Sequence, residues 1–303
     1  MDSTALRAEI DELRLKRRAV ILAHNYQPDE IQDLADLVGD SLALSQAAAA
    51  NAAEVIVFCG VDFMAESAAI LAPGKKVVFP SAGAGCPLAE MADPEAVRAA
   101  RAEHPGAMVV AYVNTSAAVK AEADYCCTSS NAVRVVRAVP ADEIIFLPDQ
   151  NLGHYVAAQV PEKRLHIWHG FCRTHHRVRA EDVERVRRAH PGAPVLVHPE
   201  CPPAVVELAD FVGSTSQIIR KAAEMPDRTL IIGTEMGIIH QLRKDNPDKT
   251  FYLLATGLVC PNMKKTTVEA VRDALRDLAP VVTVDESIRS RARQALERML
   301  AVG

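Results

Sequence analysis

Short apolar runs alternate with amphipathic stretches along the whole chain. AVILAH at 19–24 is continuous, apolar and rich in β-branched residues, as a strand buried on both faces of a parallel sheet requires. EVIVF at 54–58 and KKVVFP at 75–80 read the same way, and a shorter strand is expected near Asp36–Val38. Helical patterns lie between and around them: residues 4–17, a short helix or turn in PDEIQDLAD, SLALSQAAAANA from Ser41, DFMAESAAILA before Pro73-Gly74, and DPEAVRAARAEHPG. The order then recurs. MVVAY, a piece near Tyr125, EIIFLP and RLHIW form a second set of strands, with a helix expected from Ser129. PVLVH, a piece near Phe211, TLIIG and TFYLLA form a third, with a helix from Thr215. A helix at about 267–278, a candidate strand in APVVTV and a helix at about 285–301 close the chain. Strands and helices of these lengths predict α/β units with parallel sheets.

The recurrence has a fixed step. VVFPSAGAGC, LHIWHGFC and FYLLATGLVC end in Cys86, Cys172 and Cys260, which are 86 and 88 residues apart. ADLVGDS, ADYCCTS and ADFVGST end in Ser41, Ser129 and Thr215, spaced 88 and 86. LAHNYQ, VAYVNT and LVHPEC place His24, Tyr112 and His198 in the same register, and His-Pro-Gly occurs at 104–106 and 190–192. Such self-similarity is the signature of repeated units. The expected fold is therefore three pseudo-symmetric, Rossmann-like α/β repeats around a central cavity. Their expected bounds are 1–104 with the N-terminal helix, 105–190, and 191–303 with the C-terminal helix. Units this small more readily share a core than fold alone.

Composition narrows the class. Of 303 residues, 49 % are hydrophobic and 24 % charged, as in ordinary globular chains. A net charge of −5 offers no basic field for nucleic acid, and 4 % aromatics offer few stacking platforms. The first residues form a charged amphipathic pattern unlike a signal peptide, and no apolar run reaches the length of a membrane span. Seven cysteines without a secretion signal point to reduced thiols, used for metal or catalysis.

In parallel sheets, ligands gather at the carboxyl ends of the strands. His24, Tyr112 and His198 end the first strand of their repeats, the three in-register cysteines follow the fourth, and Ser41, Ser129 and Thr215 follow the second. These nine residues should line one cavity. The cysteines read as a Cys₃ zinc site, as thiolates of an iron–sulfur cluster with one open iron, or as core residues. Gly85, Gly170 and Gly257 would let backbone approach a cluster closely. Cys59, Cys126, Cys127 and Cys201 fall out of register and read as packing. Ser41, Ser129 and Thr215 read as helix caps whose free N–H groups could hold phosphate or carboxylate. His24 with Tyr26, Tyr112 with Asn114, and His198 with Glu200 form donor–acceptor pairs suited to proton transfer and to holding oxygens. His169, His175 and His176 have no assignment, and Lys264 and Lys265 read as solvent-facing.

Several segments together resemble the quinolinate synthase family over essentially the whole chain. They are AHNYQ at 23–27, CGVDFMAESAAIL at 59–71, AGCP at 84–87, YVNTSA at 112–117, WHGFC at 168–172, HPEC at 198–201, GSTSQI at 213–218 and CPNMK at 260–264. The resemblance implies a [4Fe–4S] cluster held by Cys86, Cys172 and Cys260. It implies substrate contacts from His24, Ser41, Tyr112, Asn114, Ser129, His198, Glu200 and Thr215. It further implies a transferase of de novo NAD biosynthesis that condenses iminoaspartate with dihydroxyacetone phosphate, releasing phosphate and water. Tyr26, Glu200, His24 and His198 are the candidates for proton transfer. A cytoplasmic location and a transient contact with L-aspartate oxidase complete the expectation. Some members carry two further cysteines in the third repeat. Leu254 and Gly257 stand there instead, so no thiol switch is expected. A zinc hydrolase or lyase, and an iron–sulfur sensor, are the readings left beside it; no basic DNA-reading helix supports the last.

Overall fold

In the computed structural model, which describes residues 3–302, twelve strands form three four-stranded sheets. The first holds β1 (Ala19–His24), β2 (Leu37–Gly39), β3 (Val55–Cys59) and β4 (Lys76–Val78). The second holds β5 (Met108–Tyr112), β6 (Tyr125–Cys127), β7 (Glu143–Leu147) and β8 (Arg164–Ile167). The third holds β9 (Val195–Val197), β10 (Phe211–Val212), β11 (Thr229–Gly233) and β12 (Thr250–Leu253). Every pairing within a sheet is parallel, and each sheet runs second–first–third–fourth. The register repeats as well: Leu22 pairs with Phe58, Val110 with Phe146 and Leu196 with Ile232. All six are buried, which is why these runs carry no polar alternation. This is the α/β fold of three pseudo-repeats that the hydrophobic pattern predicts.

An aspartate clip at the sheet edge recurs three times. The second strand is short, so an amide on the first strand needs another acceptor. Asp36, Asp124 and Asp210 supply it, accepting from Ile21 N, Val109 N and Val195 N at 2.8, 2.7 and 2.8 Å. Each aspartate also pairs with an arginine of the helix before that first strand: Arg14, Arg101 or Arg187. The His-Pro-Gly histidines have a packing role. His104 stacks on His166 at 3.7 Å between ring centroids, and His190 stacks on Tyr252, 86 residues further along, at 3.9 Å.

The tail of the chain returns to its beginning. The helix Val268–Asp277 packs Val271, Ala274 and Leu275 against Leu6 and Ile10 of the first helix, Ser3–Lys16. The helix Glu286–Val302 buries Ala292, Ala295, Leu296 and Met299 in a core shared by the first two units. The third unit has separate clusters around Val195 and Leu196. APVVTV forms a single antiparallel bridge, Val281 to Val78, rather than a strand. Pro280 lacks an N–H there, and only Val282 N donates back, to Val77 O.

The helix caps differ from expectation by one or two residues. A cap needs an extended backbone one step before the helix. Asp40 has it, with φ −82° and ψ 178°, and accepts from Ala43 N; Ser214 accepts from Gln217 N within a capping box. Asn131 precedes the helix Ala132–Ala138. Ser41 and Thr215 are thus the first helical residues, and Ser129 lies in the turn before its helix.

Candidate active site

The carboxyl ends of the three sheets enclose a cavity of about 280 Å³. All nine in-register residues line it, together with Tyr26, Asn114 and Glu200. The cavity thus brings together every residue that the sequence proposes for catalysis, substrate contact or cluster ligation. It also includes residues the sequence reading did not select: Asp40, Arg173, His175, Arg177 and Glu235.

The histidines are held by a repeated device. Tyr26 N donates to His24 Nδ1 and Glu200 N donates to His198 Nδ1, each at 3.2 Å. In each ring the proton is therefore left on Nε2. His198 Nε2 lies 3.1 Å from Ser129 Oγ. Burial lowers His24 to about 4 and His198 to about 3, so both are neutral donors near neutral pH. Glu200 behaves oppositely. Burial alone would raise it, but hydrogen bonds from His175 and the Tyr112 hydroxyl, with the attraction of His198 and His175 whenever those rings are protonated, lower it. His175 Nδ1 lies 2.7 Å from Glu200 Oε2. Asn151 Nδ2 fixes the backbone of Glu200 by donating to its carbonyl at 2.9 Å. Glu200 Oε1 and Asn114 Oδ1 are buried without a protein partner, so two acceptors stand ready for donors of a ligand.

Tyr26 joins the units. Its hydroxyl lies 2.8 Å from Thr215 Oγ1 and 2.6 Å from Thr234 Oγ1, and burial raises its pKa well above the usual phenol value. Burial also raises Tyr112 strongly, with the Glu200 charge adding to it. At the meeting point of the repeats, Asp40 Oδ2 accepts from Ser130 Oγ at 2.5 Å and from Ser216 Oγ at 2.6 Å. Ser130 Oγ also lies 2.7 Å from Ser214 Oγ. Burial works against the Asp40 charge, yet these serines hold it below its usual range. A carboxylate thus stands at the converging helix starts and offsets part of their positive potential. The cationic side chains on this cavity are Arg173 and Arg177 at its exposed rim.

The three in-register cysteines are half-buried, unpaired and open to one cavity. Burial pushes Cys86 up to about 12 and raises Cys172 and Cys260, so a bound metal is what would make them thiolates. Two of their loops are braced alike. Cys172 N donates to Asp149 Oδ2 at 2.9 Å, and Cys260 N donates to Glu235 Oε1 at 3.0 Å. Asp149 and Glu235 stand 86 residues apart just after β7 and β11, so the repeat step alone would have found them. Burial raises both carboxyls, Asp149 further because of Glu200. Three unpaired thiols from three loops, two carrying a dedicated acceptor for the cysteine amide, fit a three-cysteine cluster.

Other expectations change. Lys264 does not face solvent: its Nζ pairs with the fully buried Glu235 at 3.0 Å and donates to Tyr26 O. Lys265 is exposed and donates to Gly83 O at 2.6 Å. Gly170 is explained by packing: a Cβ there would stand 2.4 Å from the Pro148 carbonyl oxygen. Gly257 likewise makes room for Arg177. Cys59, Cys126 and Cys127 are buried in the core, and Cys201 points its thiol at Gly233 O. No helix among the described residues is long and apolar enough to cross a membrane.

Comparison with known proteins covers the same extent. The family described as "Quinolinate synthetase A protein" matches residues 8–301. A relative from Methanoregula boonei named "Quinolinate synthase" is 57% identical over 303 residues, covering 100% of both chains. One of the same name from Alkaliphilus metalliredigens is 54% identical over 302 residues, again 100% of both. A third, from Geobacter metallireducens, is 53% identical over 302 residues, covering 100% of this chain and 99% of its own. With its threefold cavity and its three cysteines, the chain belongs to the quinolinate synthetase A protein family.

Proposed function

We propose that this chain is a quinolinate synthase that condenses iminoaspartate with dihydroxyacetone phosphate, giving quinolinate, phosphate and water. The observation carrying this reading is the single cavity in which Cys86, Cys172 and Cys260 meet His24, Tyr26, Tyr112, Asn114, His198 and Glu200. Cys86, Cys172 and Cys260 would hold a [4Fe–4S] cluster, whose open iron supplies Lewis-acid polarisation of a substrate oxygen. The cluster calls for a reducing, cytoplasmic compartment.

The protein's own groups divide the remaining work. His24 and His198, neutral with Nε2–H available, donate hydrogen bonds to carboxylate or carbonyl oxygens. Asn114 and Tyr112 hold further oxygens, and Ser41, Ser129 and Thr215 offer hydroxyls beside helix starts. Glu200, ionised and buried, is the base that takes a carbon- or nitrogen-bound proton during isomerisation, imine formation and dehydration. Tyr26, high in pKa, returns a proton to an oxygen. Arg173 and Arg177 at the rim draw in the phosphate-bearing substrate.

A second reading rests on one cluster of donors: Cys172 Sγ, a His175 nitrogen and a Glu200 oxygen lie within 4.8 Å of one another, a set that suits a single zinc ion. Iron, acid-labile sulfide and zinc per chain, measured on protein purified without oxygen together with quinolinate formation, separate the two. About four irons and four sulfides with turnover support the synthase. Stoichiometric zinc without sulfide overturns it.

A further inference from the structure

Thr234 lies just after β11, is fully buried and does not line the cavity. Its hydroxyl nevertheless stands between two groups that do. Tyr26 Oη is 2.6 Å away on one side, and His175 Nε2 is 2.9 Å away on the other. His175 Nδ1 in turn lies 2.7 Å from Glu200 Oε2. Four side chains from all three units thus form one continuous chain: Tyr26, Thr234, His175, Glu200.

A hydroxyl carries one proton and two lone pairs, so Thr234 can donate to one of these neighbours and accept from the other. The Tyr26 oxygen lies a further 2.8 Å from Thr215 Oγ1. A threonine satisfying itself in a core would need only a nearby carbonyl. This one instead has two partners, and both belong to groups facing the reacting centre. The equivalent positions in the other repeats are Pro148 and Gly60, neither of which has a side-chain hydroxyl, so the device belongs to one unit only.

We infer that Thr234 is a positioning residue: its hydroxyl ties Tyr26 Oη to His175 Nε2, and so sets the geometry of Tyr26 and Glu200 together. The inference rests on the synthase reading for its kinetic arm but not for its spectroscopic one. In holoenzyme labelled with ¹⁵N-histidine, the His175 Nε2 resonance reads this contact directly. Thr234→Val should shift the Nε2 resonance, and Thr234→Ser should restore it. In turnover, Thr234→Val should lower kcat about tenfold to a hundredfold while KM stays within about threefold, with iron and sulfide as in the wild type. Thr234→Ser should recover kcat to within about threefold of wild type.

The inference is overturned by an unchanged His175 Nε2 resonance in Thr234→Val. It is also overturned if Thr234→Ser behaves like Thr234→Val, or if turnover falls only in proportion to lost cluster, which would mark a merely structural residue. A wild-type holoenzyme that forms no quinolinate, with the Nε2 shift still seen in Thr234→Val, removes the synthase reading and leaves the positioning by Thr234 standing.

Discussion

The backbone amide of Cys260 donates to the carboxylate of Glu235 at 3.0 Å, and Lys264 closes the other side of that carboxylate. Glu235 also accepts from Gly237 N at 2.7 Å. Removing it would leave two amides without their acceptor and a largely buried ammonium without its counter-charge. Glu235→Ala should therefore cost about 3–5 kcal/mol in urea unfolding and lower iron per chain. Unchanged stability with full iron would show that the cysteine loop is held by other means.

Glu200→Gln preserves shape but removes the buried base. Turnover should fall about 10²–10⁴-fold, with iron and sulfide unchanged. Steady-state rates paired with metal analysis check this. Near-normal turnover would take Glu200 out of the proton-transfer role.

The cysteines should divide into two groups. Cys86→Ser, Cys172→Ser and Cys260→Ser should each reduce acid-labile sulfide sharply. Cys201→Ser should leave it unchanged, because its thiol meets only the Gly233 carbonyl. Sulfide loss in Cys201→Ser would enlarge the ligand set.

Stability should depend on pH through two buried histidines. His24 and His198 are lowered by burial to about 4 and about 3. Unfolded, both return to about 6.5, so between these limits the unfolded chain binds more protons. Their contribution is complete above the unfolded value and is lost as pH falls towards the folded ones. Each should remove about 1.4 kcal/mol per pH unit below about pH 6. Urea unfolding of metal-free protein across this range measures the slope, and His198→Gln should reduce it.

Leu296 is fully buried in the core that the C-terminal helix shares with the first two units. Leu296→Ala should destabilise the protein by about 2–5 kcal/mol. A loss below about 1 kcal/mol would mean that this helix adds little to that core.

What the sequence disclosed follows from how each residue gets its meaning. The first and third strands of each repeat were legible because burial on both faces leaves an uninterrupted apolar run. β10, two residues long, had little such signal, and APVVTV had the composition of a strand without a ladder to join. The site was legible wherever it repeats: three cysteines, three strand ends and three helix starts share one step. Asp149 and Glu235 share it too and needed only to be sought. Thr234 has no counterpart in register, and its partners are 208 and 59 positions away, so only the folded chain reveals it. Lys264 looked like a surface lysine because its partner is a carboxylate with no exposed surface.

The C-terminal helix also bears on how the molecule is made. A ribosome delivers Glu286–Val302 after the strands of all three units, yet those residues complete a core begun by the first two units. Until then, the apolar surface around Val135 and Ile70 that the helix will help cover stays without its lid. Synthesis of the third unit is thus a waiting period for the first two. A chain stopped before residue 286 would carry all three cysteines and still lack part of the core that holds its first two units together.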